Sequence, residues 1–271
     1  LSLPEPSFIE RDPVVVTADL KASWEAATGK ALYPGQVESL LIDLIAYRET
    51  LVRIGIQEAA KQNLVAFAVA PMLDYLGELV GVVRLDGEAD DQLRERIKLA
   101  PESYTTAGSR GSYIYHAKSA DVSVVDVAVG SSSPGVVDIY PLTSLGLPSQ
   151  AVLDAVMAAC SAEDVRPLTD YVQVSLPVQT SFGISIVLTP YQWPDQETVR
   201  QQAADSLAAL TTAAAAVLGR DITVSAIVAA AHLPGVYRVD VASPTADVVV
   251  AFNGFPVCTS IVVTLGDAVN G

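Results

Sequence analysis

Between Gln36 and Pro71 apolar side chains recur at helical spacing with no firm stop: Val37, Leu40, Leu41, Leu44, Ile45, Leu51, Val52, Ile56, then Leu64, Ala68 and Val69. Helices of globular proteins usually run about 8–20 residues, and a single helix of this length reaches roughly 50 Å at about 1.5 Å per residue. The stretch is therefore one long helix or two helices broken near Gly55. The polar positions (Glu38, Asp43, Arg48, Arg53, Glu58, Lys61, Gln62) are interrupted by enough apolar residues that more than one face calls for cover. Intrachain packing and a bundle shared with other chains both answer that demand.

Composition weighs on the same question. Of 271 residues, 51% are hydrophobic and 17% charged, against about 25% charged in a typical soluble domain. A subunit that buries much of its surface against partners fits this balance better than a free monomer. The 31 acidic and 16 basic residues give a net charge of −15 and are spread along the chain. Without a basic patch, no surface is expected to displace counterions from a nucleic acid.

Residues 1–36 read as mostly extended, with a short helix at Ala18–Ala27. After the long helix come Met72–Val80, ended by Gly81, and Ala89–Leu99, whose acids lead and whose bases follow in accord with the helix dipole. Beyond Pro101 the texture changes to short Val-rich strands and shorter helices. A glycine-bearing turn from residue 103 leads to a helix at Arg110–Ser119, followed by strands at Asp121–Val129 and Val136–Tyr140. A helix from Ser149 to Cys160 and a strand at Tyr171–Leu176 complete a ββαβ unit. A second set comprises a strand at Phe182–Leu188, helices at Asp195–Leu218 and Val224–His232, and strands at Val236–Val241, Asp247–Ala251 and Cys258–Leu265. Helix, turn and Val-rich strand at Tyr113–Val129 are echoed at Ala226–Val241. The fold class expected is α+β: an N-terminal long-helix region (1–83) and two mixed α/β modules (84–180 and 181–271) with short strands.

Little in the chain suggests reagents. Cys160 and Cys258, 98 residues apart, match no disulfide framework or metal spacing and read as small buried hydrophobes. His116 and His232 lie in separate helices and read as packed or interfacial. No nucleophile elbow, phosphate loop, dinucleotide turn or HExxH pair occurs. Gly108-Ser109-Arg110-Gly111 reads as a tight turn with Arg110 anchored to a nearby carboxylate. No catalytic residue, cofactor or metal is expected. No basic, apolar leader opens the residues given, and the uncharged stretches Tyr171–Pro194 and Val248–Gly266 are broken by Pro and Gly.

Several runs, in order, resemble the baseplate protein J family of contractile phage tails and phage-tail-like bacteriocins. They are Met72-Leu73-Asp74-Tyr75-Leu76-Gly77, Leu93–Glu102, Ala107–Tyr113 with His116-Ala117 and Ser119-Ala120, Ser133–Val137, Asp164–Asp170, Leu218–Asp221 and Leu233–Val236. The likeness spans about residues 30–266. It implies a structural wedge subunit that helps build a ring around the tail's central hub and couples baseplate rearrangement to sheath contraction. The implied partners are another copy of the chain in a different conformation, a second wedge subunit, and hub and sheath-adjacent proteins, with neither nucleic acid nor membrane. Assembly would take place in the bacterial cytoplasm, the final location being the baseplate of the virion or tail-like particle. On this likeness Val37, Leu40, Leu41, Leu44, Leu51, Val52 and Ile56 form the assembly interface, and Arg96, Arg110 and Arg166 are structural arginines holding loops. The competing reading is a receptor- or carbohydrate-binding tail module.

Overall fold

The computed structural model describes residues 3–104, 108–193 and 195–270, so part of the turn expected from residue 103 (105–107) lies outside the described residues. The fold is α+β, in two compact units: Leu1–Arg84 with Ala89–Ile97, and Leu85–Glu88 with Lys98–Gly271.

The first unit is helical. Helix α1 (Pro13–Thr28) starts at Asp12, whose carboxylate accepts the Val14 N–H at 2.8 Å, with Pro13 in the first turn. It therefore begins five residues before the expected Ala18. The β-branched run Val14–Val16 reads as extended by propensity, but the cap and proline override it. Helix α2 (Val37–Lys61) runs unbroken through Gly55 and stops at Lys61, short of the expected Val69. Beyond it, Asn63 Nδ2 returns to the Ala59 carbonyl at 3.2 Å and Gln62 Oε1 accepts the Val69 N–H at 3.0 Å. Arg94 then takes the Val65 and Ala68 carbonyls, at 2.8 and 2.7 Å, fixing this segment as turns.

Helices α3 (Met72–Glu78) and α4 (Asp90–Leu99) approach closely at Gly77, where a Cβ would lie 2.8 Å from the Val82 carbonyl and 3.3 Å from Ile97. Arg84 ties them, donating to Asp74 at 2.6 Å and Asp90 at 2.8 Å. The Ala70 N–H and then Arg84 hold the Asp90 carboxyl below its ordinary range.

In the second unit, a short 3-10 helix (Ala100–Tyr104) precedes α5 (Arg110–Ala120), β1 (Val124–Gly130), β2 (Val136–Thr143), α6 (Gln150–Cys160) and β3 (Tyr171–Val174). The sheet order is β1-β2-β3, with β1/β2 antiparallel and β2/β3 parallel across the α6 crossover. Tyr113, Ala117, Val127, Ile139, Val156 and Cys160 fill its core. Next come β4 (Val178–Pro190), α7 (Gln196–Ala215), α8 (Val224–Ala231), β5 (Val236–Ser243) and β6 (Gly254–Leu265), in the sheet order β5-β4-β6. Ile184, Ile186, Leu188, Leu207 and Ile227 form that core. The strand expected at Asp247–Ala251 reduces to one bridge between Val248 and Ile222. Strand β6 instead starts at Gly254 and tolerates Pro256 because it lies at the sheet's edge.

The echo between modules is spatial. In each sheet the middle strand has an antiparallel neighbour and a parallel one. Helix α5 packs on β1 and α6 on β3, as α8 packs on β5 and α7 on β6. Chain order differs: α5–β1 precede the middle strand in the first module, whereas α8–β5 follow it in the second.

Cys160 is buried, its Sγ 3.8 Å from the Tyr113 carbonyl, and burial pushes its thiol up to about 12. Cys258 is half-buried, packed against the core of the last sheet rather than fully enclosed by it. A thiol reagent at pH 8 is expected to label Cys258 in the native protein and Cys160 only after denaturation, as mass spectrometry of the labelled peptides would report. Tyr113 is raised too, by burial first and then by its 2.8 Å hydrogen bond to Asp170. Both groups hold their protons more tightly when folded, so stability is expected to fall as pH climbs past the ordinary thiol value of 9.0.

Candidate functional site

Helix α2 has two unlike sides. The buried side carries Ser39, Ile42, Ala46, Thr50 and Gln57, small or polar except for Ile42. Their spacing of three, four and seven keeps them on one stripe at about 100° per residue. Small side chains let α1 approach, and Lys21 of α1 pairs with Asp43 at 2.8 Å.

Farther along, the segment before α1 lies against the same side as an extended arm, read by side chains. Gln57, fully buried, donates Nε2 to the Pro6 carbonyl at 2.5 Å and accepts the Phe8 N–H at 2.9 Å. Arg53 donates to the Glu10 carbonyl at 3.1 Å while pairing with Glu49, and Lys61 reaches Glu5 at 3.2 Å. Residues 5, 6–8 and 10 thus meet 61, 57 and 53, an antiparallel register. Gln57→Leu keeps the volume but strands the Pro6 carbonyl and Phe8 amide, costing roughly 2–3 kcal/mol locally. Faster hydrogen exchange and proteolysis confined to residues 3–12 are the expected result.

The other side of α2 is apolar and open. Val37, Leu40, Leu41, Leu44, Leu51, Val52 and Ile56 are all exposed, from 45% at Leu51 to 77% at Val37. Ile45, Tyr47 and Ile54 extend this surface. Tyr47 and Ile54 were not expected there, although Tyr47 follows from Leu44 and Leu40 at helical spacing and Ile54 from Tyr47. Gly55 also faces outward, with open space around the position of a Cβ.

The rest of the first unit repeats the imbalance. Its buried hydrophobics among the described residues are Val16, Ile42, Ala46, Ala68, Leu73, Val82, Leu93 and Ile97. Against these eight stand 21 exposed large hydrophobics between Leu3 and Val83. Apolar surface left exposed on this scale is more than a free surface usually carries. Covering a Leu, Ile or Val yields about 1.5–3 kcal/mol, before the costs of association are met.

The three arginines differ from one another. Arg96 is buried and brings Nη1 and Nη2 to the Val83 carbonyl, both at 3.3 Å. Arg166 donates Nε to the Ser161 carbonyl at 3.1 Å and Nη1 to the Asp170 carbonyl at 2.8 Å, closing its loop through backbone oxygens. Arg110 is exposed and, among the described residues, makes no ion pair, contrary to the expected carboxylate anchor. The turn is held by Glu102 instead, which accepts from Ser109 Oγ at 3.2 Å and crowds Gly111 too closely for a Cβ. His116 is half-buried, and burial holds it below its ordinary value. His232 is exposed at the end of α8, so of the two readings, packed or interfacial, packing within the chain is the one that falls. Among the described residues no group of three or more His, Cys, Asp or Glu is arranged to hold a metal, and no helix is long and apolar enough to cross a membrane.

Comparison with known proteins places these features in one family. Residues 39–91 match the Baseplate J-like N-terminal domain, 105–175 the Baseplate J-like central domain, and 182–264 the Baseplate J-like protein C-terminal domain. Baseplate protein J of Escherichia phage P2 is 37% identical over 243 residues, covering 83% of this chain and 80% of the relative.

Proposed function

We propose, from the premise that this chain belongs to the baseplate J-like family, that it is a structural subunit of a phage-tail baseplate joined to other baseplate proteins through α2. The observation that carries this reading is the division of α2: a small, polar side taken by the chain's own arm and a large apolar side left open. A helix that served only its own unit would turn its leucines inward.

In finer terms the chain is a wedge subunit. It meets another copy of itself in a different conformation, a second wedge subunit, and hub and sheath-adjacent proteins, and it passes baseplate rearrangement to the contracting sheath. The low charge fraction supports this reading, since surface spent on neighbours needs few solvated side chains. The role is structural and involves no catalysis. Assembly takes place in the bacterial cytoplasm, and the finished location is the tail baseplate of a phage or tail-like bacteriocin.

A density map of purified tail particles tests both levels. The chain is expected in the baseplate between hub and sheath, with α2 inside a helical bundle. A map with Leu44 and Leu51 facing solvent would refute the interface. A chain that keeps the same arrangement in extended and contracted particles would remove the coupling role.

A further inference from the structure

The two modules of the second unit are tied to each other at three places. The chain passes from the first to the second through Ser175-Leu176-Pro177, between β3 and β4. This link has little slack: the Ser175 N–H bonds the Ile139 carbonyl of β2, and the Val178 N–H bonds the Asn253 carbonyl, both at 3.0 Å. The second tie is Asp126, set beside the irregularity in β1. Its Oδ2 accepts the Leu218 N–H, just beyond α7, at 2.8 Å, while Oδ1 accepts the Val127 N–H at 2.9 Å, so the carboxylate is fixed from both sides.

Phe252 makes the third. Its ring meets Tyr140 of β2 edge-on, with centroids 5.9 Å apart. The same ring lies over Gly130 at the end of β1, where a Cβ would stand 3.0 Å from Cε2 and Cζ. Gly130 keeps strand geometry, so its missing side chain answers to the ring and not to the backbone. Phe252 is also held from behind. A Cβ on Gly219 would stand 3.3 Å from the Phe252 Cα and carbonyl oxygen, and the Gly219 N–H bonds the Gly254 carbonyl at 2.8 Å.

Two bodies joined at one point swivel, and at two points they hinge about the line between them. A third point off that line removes the hinge. Asp126 and Gly130 lie about 13 Å apart along β1 at roughly 3.3 Å per residue. The link leaves from β3, two strands away, roughly 10 Å to the side. Modules of one chain move against each other by default unless something fixes them, and here three ties do.

We propose that the two modules work as one rigid lever, pinned by Asp126 and Phe252, and that the change of shape this chain makes in a baseplate leaves the angle between its two sheets fixed. The second clause rests on the rearrangement proposed above; the rigidity does not.

Spin labels at Ala151→Cys of α6 and Gln202→Cys of α7, both exposed positions, report the distance between the modules in the full chain, with Cys258→Ser removing the half-buried thiol and Cys160 left buried. One narrow distance distribution is expected. Asp126→Ala together with Phe252→Ala should broaden it about twofold. Gly130→Val tests the seat separately: valine suits a strand, so β1 keeps its pairing while the new methyls push the ring away, and the distribution broadens again. Hydrogen exchange in the cores around Ile139 and Ile186 should match the parent in every variant. A broad distribution in the parent, or none of the expected broadening, overturns the proposal. So does broadening accompanied by lost core protection, which would make these residues part of each module's own fold. In maps of extended and contracted particles, a fixed angle between the sheets beside a change elsewhere in the chain upholds lever and rearrangement together. A changed angle overturns the lever and leaves the rearrangement standing. A chain unchanged throughout removes the rearrangement, and the labelled free chain then decides the lever by itself.

Discussion

A chain carrying Leu44→Asp and Leu51→Asp is expected to fold as the parent does and to fail to enter the baseplate. Both side chains are exposed, at 58% and 45%, so the free chain loses little packing and its stability should move by no more than about 0.5 kcal/mol per site. In the proposed assembly the same positions are covered. Each replacement then removes about 1.5–3 kcal/mol of apolar burial and places a carboxylate in a dry interface. Together the two exceed several kcal/mol, a loss of well over a thousandfold in association. Co-purification with the other tail proteins, beside a melting curve of the free chain, reads both halves. Normal assembly would sink the interface; a collapsed melting curve would show that the two leucines serve the fold.

Leu207→Ala is expected to do the reverse. Leu207 is fully buried on α7 among Ile186, Leu188 and Ile227, and truncation leaves a cavity that rigid strands cannot fill. The expected loss is about 3 kcal/mol, a large fraction of the stability of any domain, visible as a lowered Tm before any partner is present. Leu44→Ala, removing the same atoms from an exposed site, should leave Tm unchanged. A Leu207→Ala chain with the parent's Tm would contradict the packing of α7 on its sheet.

Element types were legible wherever the signal is local. The helix at Arg110, the turn at Pro134-Gly135, the caps at Asp195 and Thr223 and the alternating valines of β1 depend on residues a few positions apart. Errors arose where a distant residue decided. The apolar spacing continues past Lys61, but Arg94 claims the carbonyls of Val65 and Ala68 and ends the helix there. Nothing in the pattern around Gln57 reveals that its amide reads the backbone of Pro6 and Phe8, because a lone glutamine on a helix has no periodic signature. The exposure of Arg110 was hidden for a like reason: Glu102 reached the turn first.

By itself the sequence determined a long helix with too many apolar residues for one face, an α+β remainder, and a charge content low for a free-standing surface. These follow from period, caps and composition, which the chain carries wherever it folds. Only the tertiary structure decided which side of α2 is covered. The helical period places Ser39, Ala46, Thr50 and Gln57 opposite Val37, Leu41, Leu44 and Leu51, but it does not rank the two sides. Small side chains admit α1 closely, and a buried amide holds the arm by its backbone, so the chain covers its own polar stripe and leaves the leucines exposed. Burial depends on the surface that arrives as well as on the residue being buried.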